Sequence, residues 1–267
     1  MNSYSFIQWL TFFYIYCFLG WIIESTIVSF SQKRLVNRGF LKGPLLPIYG
    51  SGAVIILFFC LPFKSNIFLV YFVGLISATI LEYFTGWLME TVLKMRYWDY
   101  TNDKFNYKGR ICLKSSLFWG VLSIVMTFVV HNFVEKLIPY VNNLYIITIA
   151  ISIFFICDFS FSLLNVISLN KILFFLSDKK AEMESLMEQI KLETTSSENI
   201  TALKTKLSTL KNEYETKLKG MNFFHTQILT SYPKAYSKKL NSSFKDLKAR
   251  FYTTLHKITK TDSDIFN

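Results

Sequence analysis

The chain reads as an all-α polytopic membrane protein. The reading is about five transmembrane helices with an internal parallel repeat, followed by a cytoplasmic helical or coiled-coil tail. Three observations predict it. Of 267 residues, 52% are hydrophobic and only 18% charged, with a mean hydropathy of +0.33, which is a membrane composition. The cations collect in short loops between long apolar runs, and in the tail. Finally, the motif Phe-x-Gly-Trp-apolar-apolar-Glu-Ser/Thr occurs twice, each time near the end of an apolar run. The first copy is Phe18, Gly20, Trp21, Glu24, Ser25, and the second is Phe84, Gly86, Trp87, Glu90, Thr91.

Five apolar runs are candidate spans, at about 6–30, 46–63, 66–92, 114–134 and 144–170, against the roughly 20 residues that crossing the hydrocarbon core requires. The second run is short and flanked by Pro47 and Pro62, and Gly43-Pro44 and Leu46-Pro47 suit a loop or re-entrant approach to it. Each motif copy leads into a basic loop with an Asn and a Gly, Asn37-Arg38-Gly39 and then Asn106 with Gly109-Arg110. Each loop ends on an aromatic-Gly pair that opens the next run, Tyr49-Gly50 and then Trp119-Gly120. The repeat units are therefore about 6–63 and 66–134, with an extra helix at about 144–170, all within a transmembrane domain of residues 1–177. No Lys or Arg precedes the first run and no cleavage site follows it, so it is read as a retained helix.

Loop charge predicts orientation. Lys33, Arg34, Arg38 and Lys42 lie in one loop, and Lys94, Arg96, Lys104, Lys108 and Arg110 in another, whereas the remaining two loops hold Lys64 and Lys136. The positive-inside rule puts both motif loops and the tail in the cytoplasm, and the N-terminus outside. The net charge of +11 thus points to membrane lipids, in particular anionic headgroups, and away from nucleic acid. Cys17, Cys60, Cys112 and Cys157 lie in or beside apolar runs without metal-ligand spacing. They read as small buried hydrophobes, and no metal or other cofactor is expected.

Residues 178–267 form a separate cytoplasmic segment. Met183, Leu186 and Ile190 make a short apolar stripe, Thr195 with Glu198 is a capping box, and Leu203, Leu207, Leu210 and Tyr214 continue at three/four spacing. Either a helical hairpin or a short coiled coil pairing two copies into a homo-oligomer fits this pattern. The last stretch interleaves Lys234, Lys238, Lys239 and Lys245 with Tyr232, Tyr236 and Phe244, a mixture suited to acidic lipid or a partner.

Ionisable groups inside a span are costly, so they mark candidate sites. Glu82, Gly86 and Glu90 share one face of the third run at four-residue spacing, and Tyr16, Gly20 and Glu24 form the matching stripe of the first. Glu24, Glu82 and Glu90 would gather near Arg38 and Arg110, either locked to them as ion pairs or lining a substrate, ion or proton site. Asn37, Asn106 and Asp99 complete the candidate binding set. Gly39, Gly43, Pro44, Pro47, Gly50 and Gly109 set turns and close approaches around it, with Gly20, Gly86, Tyr49 and Trp98 as further structural members. The loop arginines suit either an anionic headgroup or an ordered interface. Asp158 lies outside the repeat, and either joins the same site or bonds to Ser160 and Ser162.

The runs Phe18–Ser25, Asn37–Gly50, Leu81–Glu90, Trp98-Asp99-Tyr100 and Asn106–Leu113 resemble the bacterial integral membrane family described as Putative ABC-transporter type IV, or CmpB-like permease, over about residues 10–135. The resemblance implies a permease subunit in the bacterial cytoplasmic membrane, served by a separate ATPase. The chain has no Gly-x4-Gly-Lys-Ser/Thr loop, no Gly-x-Ser-x-Gly and no His-Glu-x-x-His, so neither an ATPase nor a hydrolase centre is expected in it. Two other functions fit the residues: an enzyme acting on a lipid or envelope precursor, and a scaffold or sensor that works through its tail.

Overall fold

The computed structural model describes residues 4–94, 96–140, 143–192, 197–221 and 225. Their architecture is helical, with helices α1 (Phe6–Gln32), α2 (Pro47–Cys60), α3 (Ile67–Val92), α4 (Leu113–Val125), α5 (His131–Leu137), α6 (Leu144–Leu192) and α7 (Ser197–Lys219). A π-turn, Met126–Val130, joins α4 to α5. One small hairpin of β1 (Asn106–Tyr107) and β2 (Ile111–Cys112) pairs antiparallel.

Among the described residues, four helical stretches are long and apolar enough to cross a membrane: Phe6–Gln32, Ile67–Val92, Leu113–Leu137 and Leu144–Leu192. The expected second span is the exception, since Pro47–Phe63 is a shorter apolar helix. Its shortness has a local cause. After α1 the chain turns back along that helix, and Leu46 N–H donates to the Cys17 carbonyl at 3.0 Å. Cys17 lies fifteen residues before Gln32, roughly 22 Å down the axis. Helix α2 therefore starts far along α1, with Pro47 at its first position, where a missing N–H costs nothing.

The chain forms two compact units, Met1–Val92 with Arg96–Leu163, and Leu93–Met95 with Leu164–Asn267. In the first, α1 packs on α2, α2 on α3 and α3 on α4. Its outer faces are apolar: Ile76, Ile80 and Phe84 run exposed along α3, and Phe118, Val121 and Val129 along α4 and the π-turn. Its interior holds Thr11, Ser123, Thr127, His131 and Thr148. Apolar outside with polar groups inside is the pattern of a chain solvated by lipid. Cys17, Cys60 and Cys112 are buried as expected, whereas Cys157 is exposed on α6.

In the second unit α6 runs unbroken through residue 178 to Leu192. Its end pairs antiparallel with α7, through Lys179–Glu213 at 2.9 Å and Lys206–Glu182 at 3.6 Å. Leu186, Leu210 and Tyr214 are buried there. Thr195 of the expected capping box, and the basic aromatic stretch from Tyr232 onward, lie outside the described residues.

Candidate functional site

The two motif copies build similar corners at one end of the helices. In the first, Gly20 receives the ring of Tyr49: a Cβ at Gly20 would stand 2.3 Å from Tyr49 Cγ. That contact sends the Tyr49 hydroxyl to Glu24 Oε1, to which it donates at 2.7 Å. Arg38 Nε donates to Glu24 Oε2 at 3.4 Å, and Arg38 N–H to Ser25 Oγ at 3.2 Å. Asn37 knits the loop, accepting from Trp21 Nε1 at 2.7 Å and Gly39 N–H at 3.1 Å while donating to the Lys42 carbonyl at 2.8 Å. Pro44 is exposed on this loop.

In the second copy Gly86 faces Trp98, with 3.3 Å between a Cβ there and Trp98 Cζ2. Glu90 is held from both sides. Arg110 Nη2 and Nε reach its Oε2 at 2.6 and 3.1 Å, and Arg96 Nε its Oε1. Arg96 also binds Asp99 at 2.9 Å and the Lys108 carbonyl at 3.2 Å. Burial alone would weaken the Arg110 charge, but the Glu90 carboxylate beside it holds its pKa above the ordinary value. Asn106 donates to the carbonyls of Thr101 and Asp103 and accepts from Gly109 N–H at 3.1 Å. Lys108 and Gly109 both have positive φ, 53° and 67°. A Cβ at Gly109 would meet Asp99 Oδ1 at 2.7 Å and Arg96 Nη1 at 2.8 Å, so the hairpin turn needs a glycine there.

Glu82 is different. It is 8% exposed and lies about 15 Å along α3 from Val92. Its carboxylate is met by neutral donors: Tyr100 hydroxyl at 3.0 Å, Ser115 Oγ at 3.2 Å and Trp119 Nε1 at 3.0 Å. Burial and the nearby Glu82 charge push the Tyr100 hydroxyl above its usual pKa, so it stays a donor. Helix α2, which opens on the Tyr49 turn, packs on α3, which carries Glu82. Glu90 and its arginines bound a small separate cleft with Gly86, Met89 and Trp98.

Asp158 takes neither of its expected roles in full. It accepts from the backbone N–H groups of Lys42 and Gly43 at 3.1 and 2.8 Å, with Ser162 at 3.5 Å and not Ser160 as a further contact. It clamps α6 to the first motif loop, and a Cβ at Gly43 would crowd it, standing 3.0 Å from Asp158 Oδ2. Asp158→Ala strands two half-buried amides, at a cost on the order of 3 kcal/mol. The melting midpoint in detergent should fall accordingly, with Asp158→Asn between it and the wild type.

The three donors to Glu82, Tyr100, Ser115 and Trp119, carry no shared sequence signal, and Trp119-Gly120 stands out only as the counterpart of Tyr49-Gly50.

A bundle of long apolar helices, with two motif loops folded back along their helices and an acid at each, defines a class of polytopic helical membrane proteins. The chain belongs to the family described as Putative ABC-transporter type IV, whose sequence profile matches residues 11–163. It is thus a transport-related membrane protein. Comparison with curated proteins and with solved structures returns no match.

Proposed function

We propose that the chain is the permease subunit of a transporter in the bacterial cytoplasmic membrane, with Glu82 as the acid of its substrate site. One observation carries this reading. Glu24 and Glu90 each have a guanidinium partner, whereas Glu82 is buried and bonded to two hydroxyls and an indole N–H. Among the described residues no cation pairs with Glu82, and such a membrane carboxyl is the one free to take up a proton or a cationic group. Glu90, Arg96 and Arg110 act as the lock that holds the second loop against α3. Tyr49 at the start of α2 holds Glu24, and α2 packs on α3, which carries Glu82, so Glu24 and Arg38 border the site. The family's description supports a separate ATP-hydrolysing subunit as partner.

The test is an untargeted uptake assay. Membrane vesicles carrying the wild-type chain are incubated with a cell solute extract and compared by mass spectrometry with vesicles carrying Glu82→Gln. At least one solute should accumulate with the wild type and not with the variant. Equal contents in the two sets, at equal protein levels, overturn the reading. ATP hydrolysis that co-purifies with the full chain identifies the partner subunit.

A further inference from the structure

A polar stripe runs down α4 and α5. Trp119, Ser123, Thr127 and His131 recur at every fourth residue, and the last three are each 0% exposed. In a regular α-helix a spacing of four drifts about 40° around the axis at each step. Three steps would carry the stripe about a third of the way round. Here Met126–Val130 form a π-turn, in which His131 N–H bonds the Met126 carbonyl. A π-turn, with its i→i−5 bonds, turns less per residue than an α-helix and so opposes that drift. Such turns are rare and concentrate at functional sites.

Both ends of the stripe are titratable. At one end Trp119 bonds Glu82. At the other, both ring nitrogens of His131 are engaged: Nδ1 with the Tyr16 hydroxyl at 2.8 Å and Nε2 with the Tyr4 hydroxyl at 3.1 Å. Tyr4 donates in turn to Glu135 Oε1 at 2.6 Å, and Glu135 is partly exposed. The nearby cation is Lys64, between α2 and α3, which donates to Asn132 Oδ1 at 2.7 Å. Between the ends, Ser123 bonds the Trp119 carbonyl at 2.8 Å, and Thr127 Oγ1 is buried with no hydrogen-bond partner among the described residues. A buried hydroxyl without a partner, in a polar stripe, is a place for water. Successive side chains are about 6 Å apart along the axis. That is too far for a direct bond and close to the span of one bridging water.

We propose that this stripe is a proton path from Glu82 to Glu135, running through water held at Thr127 and the Tyr16–His131–Tyr4 relay; it rests on the reading of Glu82 above. With Glu135 ionised, the Tyr4 hydrogen is committed to it. Tyr4 oxygen then accepts from Nε2–H, and Nδ1 accepts from Tyr16. Every hydrogen points the same way. A proton leaving Glu82 travels through the water to the Tyr16 oxygen. The Tyr16 hydrogen moves to Nδ1, the Nε2 hydrogen to Tyr4, and the Tyr4 hydrogen to Glu135. The imidazole changes tautomer, Glu82 has lost one proton, Glu135 has gained one, and each group between them keeps its count.

The experiment uses the full-length protein in phosphatidylcholine–phosphatidylglycerol vesicles that enclose a pH-sensitive dye. A potassium diffusion potential, negative inside, is set with valinomycin. Wild-type vesicles should acidify faster than protein-free ones. Thr127→Val keeps the side-chain shape without the hydroxyl, and should slow the flux roughly five- to tenfold, the worth of one hydrogen bond, with an unchanged melting midpoint. Ser123→Ala gives the same test from the neighbouring turn if Thr127→Val does not fold. Wild-type flux equal to that of protein-free vesicles, or full flux in these variants, overturns the path. Full flux in Thr127→Val with loss in Glu82→Gln refutes the path alone. Full solute accumulation in Glu82→Gln refutes the Glu82 site itself.

Discussion

Replacing Glu90 with Ala should lower the stability of the membrane unit by about 3–5 kcal/mol, the cost of stranding a buried partner charge. Arg96 is 6% exposed and Arg110 14%, so neither guanidinium can turn to water without taking its loop along. Against a total stability of about 5–15 kcal/mol, that is enough to unfold part of the population at ambient temperature. The melting midpoint in detergent, followed by tryptophan fluorescence, measures it. Glu90→Gln keeps an acceptor and should fall between Ala and wild type. Glu24→Ala should cost much less, because the Glu24–Arg38 contact is 3.4 Å long and its side chains are 30% and 20% exposed. Equal losses at Glu24 and Glu90 would show that the lock reading of Glu90 is wrong.

This contrast shows how far the sequence goes. The doubled motif placed the acids, the glycines and the basic loops, because each lies within one helix period or one loop of its neighbours. The α1 and α3 runs were legible from length and hydropathy, and Pro47 from its place at the start of an apolar run. Partners far apart in the chain were not. Asp158 clamps amides 115 and 116 positions away, and Tyr16 meets His131 across 115, separations that leave no local periodicity. The β1–β2 hairpin has only two residues in each strand, too few to alternate visibly. Its signals were Asn106 and the Lys108-Gly109 step. The π-turn has no marker in composition, and only the spacing of Ser123, Thr127 and His131 betrays it. The acids read alike as residues in apolar runs, and only their partners separate Glu82 from Glu24 and Glu90.

Gly50→Leu should abolish both the packing of α2 on α1 and any activity that depends on it. A Cβ at Gly50 would stand 2.3 Å from Cys17 Sγ, 2.6 Å from the Phe13 carbonyl oxygen and 2.9 Å from Phe13 Cδ2. The sulfur could rotate, but the carbonyl belongs to the backbone of α1 and can move only with its helix. Even Gly50→Ala should therefore cost about 3 kcal/mol, at the upper end for overpacked cores. The damage reaches the site through Tyr49, the preceding residue, because pushing α2 away withdraws its hydroxyl from Glu24. Combining Gly50→Ala with Cys17→Gly relieves the sulfur and leaves the carbonyl, so it should recover only part of the loss. Gly52 supplies the comparison, two residues on in the same helix. A Cβ there would meet only Leu81 Cδ2, at 3.8 Å. Gly52→Ala should be neutral or stabilising by up to about 1 kcal/mol, from helix propensity alone. Melting midpoints of the two alanine variants measured side by side decide the matter. If Gly50→Ala and Gly52→Ala behave alike, the α1–α2 approach is not as close as these distances make it, and Tyr49 is not held on Glu24 by it.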